Sequence, residues 1–420
     1  MSHRFKILMT AGAVAAKLDA VKYVTNRFKG GRMAQLADEM FEHPDVLSIN
    51  MCPKGSEIPD HIDFELVYLC SKDAKVPDTR ISKRNPQIVH FDDFYDYQTK
   101  VLEYAADSDI VILGAAVANL LPVCYYQSYC RVNGMYGCED YNTIEGNRVE
   151  LPLTDKFPSH NYVERDEILM KWRIAPRVID QVKAVMKPGG HLFGFKLLSD
   201  SSNDELVEAA YETLIGSKAT AVFANDASDL RDVTVVTKDH AARSIPRSCL
   251  SEEIFHLATD TYYRTEIVPG EVDQTLWMLL QELADMHKVH FRHEKSGMMF
   301  GTIAYNLGEQ GFVCTGRGKR ELDELAVVTK VTHDYKNWVV HSIGHKASLN
   351  APLLDRLFKH NPNVKAIVHY HDQVEGLPTQ DYEMPGTVRD AGRYSETSFN
   401  IEAHGCILMF EQQKRKWVQV

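Results

Sequence analysis

MSHRFKILMTAGAVAAKL, residues 1–18, can be read in two ways, and the choice sets the class of the chain. Arg4 and Lys6, an apolar run and then small residues have the outline of a secretory leader. The rival reading is a buried first strand over 5–9 that closes on a Thr10-Ala11-Gly12 turn. The text downstream favours the strand. Short apolar runs recur at 46–51, 64–69, 110–113, 192–195, 219–223 and 233–237. Helical periodicity appears at 33–41, 97–106, 175–185 and 204–215. That alternation predicts an α/β fold with a doubly wound parallel sheet covered by helices.

Composition limits the partners. Lys plus Arg is 47 against 58 Asp plus Glu, a formal charge of −11 over 420 residues, with no long basic run. Phosphate backbones would repel such a surface, so nucleic-acid binding is not expected. The longest apolar stretch, 110–123, is short and interrupted by Asn119 and Pro122, so no membrane span is expected. Eight cysteines without a CxxC pair fit free thiols and a cytoplasmic location. The gaps between Cys124, Cys130 and Cys138 match no zinc pattern. Residues 124–164 are aromatic, polar and aperiodic, which predicts a long loop or lid.

A new pattern starts near Ile267-Val268-Pro269-Gly270-Glu271, giving expected domains at 1–266 and 267–420. The second half reads as a helix (272–287), short strands with turns (302–314, 325–332, 338–342), a helix (352–360) and further strands (364–369, 406–410). This predicts a mixed or antiparallel sheet with flanking helices.

Four strand ends in the first half carry small or polar residues: Thr10-Ala11-Gly12, Gly114-Ala115-Ala116, Gly194-Phe195-Lys196 and Ala224-Asn225-Asp226. Spacing alone says only that an open α/β sheet has its ligand crevice there. The order of motifs resembles phosphopantothenoylcysteine synthetase over residues 5–265, a Rossmann-like fold. MTAG at 9–12, VKYVTN at 21–26 with Gly30-Gly31-Arg32, GAAVANLLPV at 114–123, LTDKFPSH at 153–160, HLFGFKLLSD at 191–200 and VFANDASDLRDVTVVTKD at 222–239 carry it.

The resemblance implies a ligase that uses ATP or CTP with Mg2+ to activate a carboxylate as an acyl-nucleotidylate, which an amine then attacks. It implies catalytic roles for Asn26 and Lys196. It also implies nucleotide contacts from Gly12, Ala115, Ala116, Lys156, Phe195, Lys196, Ala224 and Asn225. The chain departs from the family at Phe28 and Lys29, where a Ser-Ser pair is usual, at Asn119, where an acid is usual, and at Ala13-Val14 after Gly12.

In the second half, His369-Tyr370-His371 follows an apolar run, and alternation sets both imidazoles on one side of a strand. His404 precedes Gly405 and another apolar run. Open metal sites commonly use three protein ligands. The groups His287/His290/His293 and His341/His345 read as surface or capping residues. Residues 271–415 resemble the class II aldolase/adducin family through FGTIAYNLGEQGFVCTGRGKREL at 300–322, HKASLNAPLLDRLFKHNPNVKAIVHYHD at 345–372, MPGT at 384–387 and His404-Gly405. The resemblance implies a divalent metal, usually zinc, on His369, His371 and His404 that stabilises an enediolate. Asn350 stands where the family has its acid/base glutamate, and an amide cannot take a proton at neutral pH.

Three functions follow. One is a nucleotide-dependent carboxylate–amine ligase with a fused aldolase-like domain. The second is a metal-dependent aldolase, epimerase or dehydratase for a small hydroxycarbonyl substrate. The third is a non-catalytic scaffold. Both resemblances imply a homo-oligomer and, for an enzyme, small-molecule substrates.

Overall fold

The computed structural model describes residues 4–42, 63–78, 86–126, 148–161, 168–291, 299–334, 337–414 and 416–420. They pack as two units. One holds the described residues up to Leu197 with Glu212–Phe223, and the other holds Leu198–Tyr211 and Ala224–Val420. Among the described residues no helix is long and apolar enough to cross a membrane.

In the first unit the opening apolar run is β1 (Arg4–Ala11), with Ile7, Leu8 and Met9 buried. It is followed by β2 (Asp63–Ser71), β3 (Gln87–Phe91), β4 (Ile110–Leu113), β5 (His191–Leu198) and β6 (Ala221–Asp226). Their order in the sheet is β6-β5-β4-β1-β2-β3. Ile7 pairs in parallel with Leu66 on β2 and with Ile110 on β4. Strands covered on both faces need continuous apolar runs, and all four residues of β4 are buried. The chain builds outward from β1 to β3, then returns to the other side of β1 for β4. This reversal is the switch point at which doubly wound sheets open a crevice.

Two expectations change here. The helix predicted over 175–185 is confined to Ile179–Val185. Pro176 disfavours helical backbone at the residue before it, and the preceding Leu169–Ile174 is a strand. The lid expected over 124–164 is in part an antiparallel ribbon. Leu120–Tyr126 pairs with both Arg148–Glu150 and Leu169–Ile174. Its 127–147 and 162–164 portions, and the strand expected at 46–51, lie outside the described residues.

After β6 come a hairpin of β7 (Asp229–Thr237) and β8 (Ala242–Pro246), which stands in the same sheet beside β6, and a helix, Leu250–Thr259. A second sheet runs through β9 (Thr302–Asn306), β10 (Phe312–Thr315), β11 (Leu325–Asp334), β12 (Asn337–Gly344), β13 (Val364–Tyr370), β14 (Phe399–Ile401) and β15 (Gly405–Gln413). The order β12-β11-β10-β9-β13-β15-β14 is antiparallel throughout, and short parallel strands at Arg264–Ile267 and Thr379–Gln380 make the sheet mixed. The helix Trp277–His287 lays Leu280 and Leu283 against Ile303, Val313, Val368 and Leu408. The structure thus has the expected α/β class, with one sheet parallel at its centre and antiparallel at the β7–β8 edge and a second, mixed sheet.

Candidate metal centre and nucleotide crevice

His369 is the penultimate residue of β13 and His371 follows the strand end, so the two-residue period turns both rings the same way. His404 comes from the turn between β14 and β15. Gly405 makes that turn possible. Its φ is 137°, and a Cβ there would lie 2.0 Å from the Tyr370 carbonyl oxygen. The His369 ring centre is 5.2 Å from that of His371 and 4.8 Å from that of His404, and the third separation is 4.7 Å. One ligand-capable nitrogen from each ring lies within 4.8 Å of the other two.

The protonation pattern follows from the partners. His369 Nδ1 is 2.8 Å from the Cys406 carbonyl oxygen, which can only accept, so Nδ1 carries the hydrogen. Nε2 of His369 and both ring nitrogens of His404 are buried with no hydrogen-bond partner. Burial pushes His369 down to about 4 and His404 well below the usual histidine value. Both rings are therefore neutral at pH 7. A buried Nε2 lone pair left unmatched costs free energy, and a soft or borderline divalent cation is the partner such a donor set suits.

Further groups lie around the trio. Phe300 stacks on His371 with ring centres 5.6 Å apart. Thr302 faces His369 across the β9–β13 pairing. The ammonium of Lys319 donates to the Gly301 carbonyl at 2.6 Å and to that of Met299 at 3.3 Å. Burial lowers Lys319 to about 8. Asn350 caps the helix Ala351–His360 by position only, and its Oδ1 is buried without a partner. On the far side of His404, Asp239 Oδ2 lies 3.2 Å from Nδ1.

Three solved structures resemble parts of the chain. The DNA/pantothenate metabolism flavoprotein from Streptococcus pneumoniae is 20% identical, with a TM-score of 0.43, over 60% of this chain and 96% of its own. The C-terminal domain of the coenzyme A biosynthesis bifunctional protein CoaBC is 18% identical, with a TM-score of 0.36, over 61% and 94%. YgbL, a candidate aldolase/epimerase/decarboxylase from Escherichia coli, is 22% identical, with a TM-score of 0.25, over 33% and 80%. No protein-family model matches the chain, and no curated protein does.

In the first unit, four of the expected ligand-binding residues meet at the switch point. Ala116 N–H donates to the Gly12 carbonyl at 2.8 Å, and Asn26 Nδ2 donates to the Ala116 carbonyl at 3.0 Å. Ala115 N–H donates to Thr10 Oγ1 at 3.2 Å. Gly12 has φ 82°, and a Cβ would come within 2.3 Å of Ser71 Oγ. Gly194 pairs with Leu113, so Phe195 and Lys196 extend β5 beyond the same end of the sheet, both half-buried. Lys156 is exposed, in a loop tied to residues 18–22 by Asp19, whose carboxylate accepts the N–H groups of Phe157 and Val21. Ala224 is buried, Asn225 donates to the Asp232 carbonyl, and both belong to the second unit.

A second group, His256, Asp260 and Glu383, also brings ligand atoms within 4.8 Å. Arg389 already sits on both carboxylates, 2.7 Å from Asp260 and 3.5 Å from Glu383, so the group is a compensated ion-pair network. His290 pairs with Asp372, His341 with Glu266 and His345 with Glu324, which accounts for those rings without a ligand. His293 lies outside the described residues. Sequence reasoning missed Asp239 and Lys319. A buried lysine after Gly316-Arg317-Gly318 reads as a polar turn, and nothing in the spacing marks Asp239.

Proposed function

We propose that the second unit is a divalent-metal centre, zinc or a related ion on His369, His371 and His404, that cleaves or isomerises a small hydroxycarbonyl substrate. The observation that carries this is the pair of buried, unpartnered Nε2 atoms on His369 and His404. A bound divalent ion supplies Lewis acidity, which draws electrons from a substrate carbonyl and eases loss of the neighbouring proton. The chain's own residues supply the rest. Cys406 fixes the His369 tautomer, and Phe300 walls the ring of His371. Asn350 cannot take the proton. Lys319, with a lowered pKa and a hydrogen bond to the residue beside Thr302, is suited to exchange one near neutral pH.

The test is metal analysis of the purified chain, with a search for aldehyde or ketone release from hydroxycarbonyl substrates. About one divalent ion per chain, lost in His369→Ala along with turnover, supports the reading. A chain that takes up no ion sinks it.

The switch-point crevice favours a second centre. We propose that residues 1–266 bind ATP or CTP with Mg2+ at Gly12, Ala115, Ala116, Phe195 and Lys196, with Lys156 from its tethered loop. Asn26 and Lys196 would then serve the joining of a carboxylate to an amine. Backbone amides at strand ends suit phosphate, and lysines suit the charge of a transferring group. Residues 267–420 would supply the histidines, in a cytoplasmic homo-oligomer. Pyrophosphate release from ATP and CTP, measured with a carboxylate panel that includes 4′-phosphopantothenate with cysteine, is the test. Silence with every pair removes the ligase, and light scattering checks the oligomer.

A further inference from the structure

We propose that His240, which lies outside the histidine-bearing segment 267–420, is a positioning residue of the metal centre: its ring holds Phe300 against the face of His371 and so keeps that imidazole from turning off the shared point of the trio. This rests on the metal-centre reading above and adds the residue that steadies its least buried ligand.

His369 and His404 are buried, and His371 is half-buried. Packing immobilises the first two, so His371 depends most on what lies against its ring. That neighbour is Phe300, 5.6 Å away between ring centres and inclined by 25°. Gly301 brings it there. With φ 88°, Gly301 lets the chain pass so close to β13 that a Cβ would lie 2.6 Å from the His369 carbonyl oxygen. A ring on the imidazole face opposes rotation about the Cβ–Cγ bond, and that rotation would carry the ligand nitrogen off the ion. Phe300 is itself braced. His240 stacks on it at 5.0 Å and 21°. The buried Tyr211 meets both rings edge to face, 4.5 Å from His240 and 6.0 Å from Phe300.

The turn between β7 and β8 holds His240 in a costly conformation. Its φ is 62°, left-handed backbone that glycine adopts freely and a residue with a Cβ does not. Strain of this kind persists where the surroundings hold it, and it gathers at functional sites. Here Glu208, on the helix Asn203–Ser217, does the holding. His240 Nε2 donates to Glu208 Oε1 at 2.9 Å, since an ionised carboxylate can only accept. The His240 side chain is 19% exposed, so most of its ring surface goes to Tyr211 and Phe300 rather than to water. Glu208, Tyr211, His240, Phe300 and His371 all belong to the second unit. Three of the five precede residue 267 in the sequence, so the segment 267–420 alone lacks the brace.

The experiment compares full-length wild type, His240→Gly, His240→Phe and Glu208→Ala. Zinc affinity is read by competition with a chromogenic chelator, and ligand geometry by the visible absorption of the cobalt-substituted protein. His240→Gly is expected to weaken zinc about 3- to 10-fold, the range for freeing one side chain, and to shift the cobalt bands. Its melting temperature should stay near wild type, because glycine relieves the left-handed backbone as the ring contacts go. His240→Phe, which keeps an aromatic face against Phe300, recovers most of the affinity. A residue that only holds the fold would lower the melting temperature and leave bands and affinity unmoved. That result overturns the proposal, as does wild-type behaviour in His240→Gly. Should both His240 variants fail to fold, Glu208→Ala decides: shifted bands support the brace, and wild-type bands overturn it. A wild-type chain that binds no zinc removes the metal centre and this role together. Zinc on the wild type with unmoved variants removes this role alone.

Discussion

His369 and His404 lie 4.8 Å apart, ring centre to ring centre, and Nε2 of each is buried with no hydrogen-bond partner. Two buried donors so matched predict that either ring is indispensable to metal retention. His369→Ala and His404→Ala should each weaken zinc more than about 100-fold, beyond the loss typical of an outer-shell partner. Chelator competition measures it, and a stoichiometric ion retained in either variant would move the metal elsewhere.

The glycine after His404 should tolerate no side chain. Gly405→Ala forces a Cβ to within 2.0 Å of the Tyr370 carbonyl oxygen at φ 137°. A cost of roughly 3 kcal/mol in urea unfolding is expected, from clash and backbone strain together. Because the shift displaces His404, zinc affinity should fall with it. Wild-type stability in this variant would mean that the turn relaxes freely.

Lys319 gives the fold a pH dependence of known sign. Burial lowers its pKa from 10.5 to about 8, so between those values the unfolded chain holds the proton more often. The penalty is full below pH 8 and fades as the pH rises through 10.5. Relative to Lys319→Met, which cannot titrate, the wild type should gain roughly 3 kcal/mol across that window. Urea unfolding of both proteins at pH 7.5 and 10.5 checks this, and a constant difference would count against a buried charged lysine.

For the nucleotide crevice, Lys196→Ala should cut pyrophosphate release about 10²- to 10³-fold, as loss of a charge-stabilising group does. Its half-buried position predicts a stability change near zero, within about 0.5 kcal/mol. Equal turnover in wild type and variant would remove Lys196 from the reaction.

How much of this was legible in the sequence depended on whether a residue acts through its neighbours along the chain. The Ile110-Val111-Ile112-Leu113 run gives β4 residue for residue, because a strand buried on both faces leaves a continuous apolar signature. The pairing of His369 with His371 was equally plain, since strand period alone determines it. Asn26 and Ala116 meet through a switch point that only strand order creates, so the motif order hinted at it and no local pattern did. Asp239 was invisible for the same reason in stronger form. Its partners Tyr382 and His404 come from distant turns, and a lone aspartate past a strand end usually signals a solvated turn. The missing helical turn at 175–178 was legible in Pro176, but the apolar periodicity masked it.

His369 and His404 are sealed, whereas His371 is only half-buried, with Phe300, also half-buried, against its face. Among the described residues the His371 side is therefore the open flank of the trio, and traffic would use it. Chelator attack, exchange of one cation for another and the arrival of a substrate would share one doorway and compete for it. Widening that doorway by trimming Phe300 should speed stripping of the ion and loosen the choice of substrate together, so retention and selectivity become two readings of the same aperture.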